Sequence, residues 1–110
     1  MAGYIRQGDL LFIPKDFSAK FPKVFPNRVT NGVIAMGEAT GHHHRVAEAD
    51  MPFCEIYENA SGQKALRVTE KGISIVHEEH HTVKLDPGEY VVHVAREFDY
   101  VERAARRVVD

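Results

Sequence analysis

Cysteine is nearly absent. The single thiol, Cys54, leaves the chain without an intramolecular disulfide and without a thiolate-rich zinc site, so any bound transition metal would take nitrogen and oxygen ligands. Long apolar runs are missing too. No segment approaches the ~20 apolar residues of a membrane-spanning helix, and residues 1 to 30 hold no apolar stretch of ~7 to 15 residues behind a basic start, as a secretory signal requires. The expectation is a cytoplasmic protein without a membrane partner. Charge of one sign is scarce: 14 Lys and Arg stand against 16 Asp and Glu, a formal net charge of -2, so no overall field gathers nucleic acid. Glycine-rich phosphate loops and the Gly-x-Ser-x-Gly elbow do not occur. Ser61 falls in a turn signal and Ser74 in a strand signal, with no base placed beside either.

What the chain does have is enough apolar residue, 44% of 110, for one core and one domain spanning residues 1–110. Short apolar runs separated by turn residues give the punctuation of an all-β domain. Asp9 to Ile13 reads as a first strand closed by Pro14. Between Pro14 and Asn27, prolines alternate with Phe17, Phe21 and Phe25, as in a loop packed by its own aromatics, with Lys15, Lys20 and Lys23 toward water. Val33 to Met36 reads as a buried strand between Gly32 and Gly37. Phe53–Glu58 and Lys64–Thr69 flank a turn and predict a hairpin; Lys71-Gly72 leads into Ile73–His77. Thr82–Leu85 and Tyr90–Arg96 are joined by Asp86-Pro87-Gly88-Glu89. The sum is about eight short strands, enough for a small barrel or double-sheet sandwich. Asp99 and Glu102 have capping-box spacing ahead of Val101, Ala105 and Val108, which predicts a short C-terminal helix, with a Val108-Val109 strand as the alternative.

All seven histidines fall in three short segments. On an extended strand alternate side chains share a face, so His42 and His44 point together and can chelate one ion, with Glu48 as an oxygen donor beyond a bend. In His77-Glu78-Glu79-His80-His81, the face shared by Ile73, Ile75 and His77 puts His77 at the edge of the core. The four-residue spacing of His77 and His81 matches a helical zinc-protease motif only superficially, because strand signals flank it. His77, His80 and His81 are further candidate ligands, and His77, Glu79 and His80 are candidate acids or bases. His93 shares a strand face with Val91 and Ala95, opposite Tyr90, Val92 and Val94; Tyr90 is a further candidate acid.

Gly37, His42, His44 and Glu48, followed by Pro87-Gly88 and His93, resemble the two motifs of the cupin family of small double-sheet barrels over residues 37 to 93. The resemblance implies a metal held inside a barrel by His42, His44, Glu48 and His93, with open positions for a substrate. A second likeness, of Val83–Val92 and Gly32–Glu38 to strands of the small co-chaperonin barrel, implies a self-associating subunit instead. The function expected is therefore a histidine-rich protein binding zinc, iron, manganese or nickel. It acts either on a small-molecule substrate or as a metal-sensing or oligomeric interaction module.

Overall fold

The computed structural model describes residues 3–16, 21–36 and 42–94. They form ten strands: β1 Ile5–Gln7, β2 Leu10–Pro14, β3 Asn27–Val29, β4 Val33–Met36, β5 His43–Val46, β6 Cys54–Glu58, β7 Lys64–Val68, β8 Ile73–Val76, β9 Val83–Leu85 and β10 Gly88–Val94. Two antiparallel sheets result, one ordered β1-β2-β10-β7-β6-β3 and the other β4-β5-β8-β9. A one-turn helix α1, Phe21–Val24, and a 3-10 helix, Glu48–Phe53, complete the described elements.

The period-2 alternation decides which side chains meet between the sheets. From the larger sheet come Leu10 and Phe12, Cys54 and Ile56, Leu66 and Val68, Tyr90 and Val92. From the smaller sheet come Ile34, Val46, Ile73, Ile75 and Leu85. This is a double-sheet sandwich. Phe25, Ala65 and Val91 form a second, smaller cluster on the outer face of the large sheet, so the loop after β2 is held by Phe25 as its aromatics predict. Lys15 and Lys23 are exposed; Phe17, Lys20 and the predicted C-terminal helix lie outside the described residues.

Three points differ from the sequence expectation. The strand expected over Asp9–Ile13 forms as β2, Leu10–Pro14, but an unexpected β1 precedes it: Gly8-Asp9 is a two-residue turn, with Gln7 paired to Leu10, and Gly8 takes φ +60° at the first turn position where glycine is favoured. β1 and β3, at three residues each, are too short to show a period. The segments on either side of Asp86-Pro87-Gly88 do not pair: β9 belongs to the small sheet and β10 to the large one, so this turn carries the chain across the sandwich and not round a hairpin. The Asn59–Gln63 hairpin between β6 and β7 forms as expected. Among the described residues no helix is long and apolar enough to cross a membrane.

Candidate metal centre at the seam of the two sheets

β5 and β8 pair with Arg45 opposite Val76 and Val46 opposite Ile75. Continued past the last ladder pair, that register sets His44 against His77, His43 against Glu78 and His42 against Glu79. The side chains obey it. The His44 and His77 rings lie 4.4 Å apart; the His43 amide donates to Glu78 Oε1 at 3.0 Å; His42 Nδ1 meets Glu79 Oε1 at 3.0 Å. Two histidine segments distant in sequence are thus brought together by one strand register. Residues 77 to 81 adopt no helix, which removes the zinc-protease motif.

The third wall comes from the other sheet. β1 lies beside β9, where the edges of the two sheets meet, and the buried Gln7 closes the seam. Its amide nitrogen donates to Ile75 O at 2.8 Å and His81 O at 2.9 Å, so its Oε1 is the acceptor for His44 Nδ1 at 2.8 Å. His44 is 1% exposed. With its Nδ1 proton committed to Gln7, the neutral ring points a bare Nε2 lone pair at Asp9 Oδ1, 3.5 Å away, and this nitrogen has no hydrogen-bond partner. Burial, then the neighbouring His77, hold the His44 pKa down to about 4 against the partial opposition of Asp9.

His77 is oriented the other way. The Glu79 amide donates to its Nδ1 at 3.0 Å, so the neutral ring carries its proton on Nε2, which is also buried and without a partner. The His80 ring is parallel to His44 at 6.0 Å and lies 4.6 Å from His77. Its Nε2 packs over Gly8, so close that a Cβ there would stand 2.5 Å away. Glu78 anchors the rim: the His43 amide, its own amide and Arg45 hold its carboxyl down to about 2, and Arg45 bonds it at 3.2 Å. Among the described residues, no three His, Cys, Asp or Glu side chains stand close enough together to hold an ion as placed.

Of the ligand set implied by the cupin resemblance, the structure brings His44 to this cavity with His42 at its rim, and leaves the other two elsewhere. Glu48 is exposed in the 3-10 helix beyond the far end of β5, on the order of 10 Å along the strand from His44. His93 shares its face of β10 with Val91, outside the main core, while Tyr90, Val92 and Val94 face inward. His81 contributes its backbone carbonyl and keeps an exposed ring. Tyr90 is a core residue whose hydroxyl donates to Asp86 O at 2.7 Å, away from the histidines. Arg6, Gln7 and Asp9 escaped the sequence reading; the Gly8-Asp9 turn signal between two short apolar stretches was the available clue.

The class defined is an antiparallel double-sheet protein with a histidine and aspartate cavity at the seam between its sheets. The chain belongs to a domain family of unknown function, DUF8820, whose model matches residues 6–95. No curated protein and no solved structure matches it.

Proposed function

We propose that this protein binds a divalent transition metal at the seam, through His44 Nε2 and Asp9 Oδ1 with His80 as third ligand. The observation that carries the reading is the buried His44 Nε2, without a hydrogen-bond partner, facing Asp9 Oδ1 at 3.5 Å. Two lone pairs so placed repel unless a cation lies between them, and two ligands of a tetrahedral ion with bonds of about 2.0–2.2 Å are about 3.4 Å apart. The His80 ring lies 6.0 Å from His44, within reach of the same ion, but parallel to it and with Nε2 over Gly8, so His80 ligates only by turning its ring out of the stack.

Gln7 supports the same reading. A metal-bound histidine gives its other ring N–H to an oxygen acceptor, as His44 does here. Nitrogen and oxygen donors suit zinc, iron, manganese or nickel. A metal so held polarises a bound oxygen ligand as a Lewis acid. His77, its N–H turned into the buried cluster, would then serve as a proton donor toward a small-molecule substrate.

The test is elemental mass spectrometry on untagged protein loaded with each metal and freed of excess. The expected result is one equivalent in the wild type and loss of it in His44→Ala and Asp9→Asn, with the β-sheet circular dichroism kept. Stoichiometric metal retained by His44→Ala, or none taken up by the wild type, would sink the assignment.

A further inference from the structure

The cavity that holds this cluster also has Arg6 in its wall, and its volume is about 280 Å³. That is at the lower edge of small-molecule sites, which begin near ~300 Å³, so it suits a ligand of a few non-hydrogen atoms. The Arg6 Nε–H donates to Gly8 O at 2.8 Å, which ties the guanidinium to the same turn that carries Asp9. Among the described residues Arg6 has no ion-pair partner. Of the two carboxylates in the wall, Asp9 faces His44 and Glu79 is engaged by His42. The His77 Nε2–H is a second donor without an acceptor.

The charges do not balance without an anion. Asp9 and Glu79 offset the two charges of a divalent ion, and Arg6 adds one that is left over. Resting on the metal reading above, we propose that the site takes a small carboxylate, one oxygen on the ion and the other on the Arg6 guanidinium, with the His77 N–H as an additional donor. With its Nε–H given to Gly8 O, Arg6 offers its Nη groups to the carboxylate oxygen that is not on the ion, a charge-assisted hydrogen bond. Phosphate has more terminal oxygens and a higher charge than one arginine and one imidazole N–H can satisfy.

Cobalt makes the test direct, because its visible bands report both loading and a change of ligand. Full-length protein loaded with Co²⁺ is titrated with acetate, with neutral acetamide and with inorganic phosphate, in the wild type and in Arg6→Gln. Acetate is expected to shift the bands, acetamide to leave them unchanged, and Arg6→Gln to load one Co²⁺ yet bind acetate at least ~10-fold more weakly. Arg6→Lys, which keeps the charge and loses the guanidinium anchored on Gly8 O, should fall between. A protein that takes up no Co²⁺ sinks the metal reading and this inference with it. A loaded protein that ignores acetate, binds it equally in Arg6→Gln, or responds only to phosphate overturns the carboxylate inference and leaves the metal reading standing.

Discussion

Gln7 Oε1 accepts the Nδ1–H of His44 at 2.8 Å, joining two residues that are 37 positions apart and belong to different sheets. The same side chain gives its two amide hydrogens to Ile75 O and His81 O, so every polar group it has is used inside the seam.

Truncating this residue should therefore act on both fold and site. Gln7→Ala removes the donor to the buried Ile75 carbonyl and the part-buried His81 carbonyl and the acceptor of a buried ring N–H, an expected loss of about 2–5 kcal/mol in urea unfolding. Metal affinity should fall by ~10–100-fold, since nothing then fixes the His44 tautomer. A variant that loses less than about 1 kcal/mol and binds metal as before would contradict the role given to Gln7.

Gly8 and Gly72 separate site from scaffold. Both have positive φ, but a Cβ on Gly8 would meet the movable tip of His80, whereas one on Gly72 would meet the Leu85 carbonyl at 2.6 Å. Gly8→Ala should cost about 1–2 kcal/mol from the backbone alone and weaken metal binding by displacing His80. Gly72→Ala forces β8 and β9 apart and should approach ~4 kcal/mol. Equal melting temperatures for the two variants would be inconsistent with this placement.

Cys54 predicts the alkaline limb of the stability curve. Burial pushes its thiol up from 9.0 to about 11, so the fold favours the neutral form. The unfolded chain ionises first: stability is intact below about pH 9 and is lost as pH rises toward about 11, by about 2–3 kcal/mol. Urea midpoints across that window should fall less steeply in Cys54→Ala, with a residual slope because Tyr57 and Tyr90 are shifted the same way. Parallel slopes in the two proteins would count against it.

The site also predicts which histidine is dispensable. His93→Ala and Glu48→Ala should each bind metal within about 3-fold of wild type, and His44→Ala should not bind, as read by calorimetric titration; an RT ln 3 change is below 1 kcal/mol and a lost ligand far exceeds it. Loss of binding in His93→Ala would restore the ligand set that the cupin likeness implies.

Much of this was legible in the chain. The continuous apolar runs Leu10-Leu11-Phe12 and Tyr90-Val91-Val92 mark strands covered on both faces, and the Asn59–Gln63 turn fixes a hairpin, because both signals are local. The turn residues Asp86-Pro87-Gly88-Glu89 specify a reversal but not whether the next strand returns to the same sheet, and here β10 joins the other one. Asp9 read as a strand residue because the two strands around Gly8 are each short. Glu48 and His93 were plausible ligands by spacing, and spacing says nothing of which face of which sheet a strand presents.

The sequence by itself determined the sheet-forming segments, the two faces of each strand and the chemistry available, imidazole and carboxylate without thiolate. Tertiary structure alone decided which of those groups meet. His44 meets His77 through the β5–β8 register, and Asp9 and Gln7 reach them only because the edges of two sheets close on each other. Side-chain alternation is a property of a few consecutive residues, whereas a site built from positions 6 to 80 depends on pairings whose energy lies in the buried core, and no local pattern encodes them.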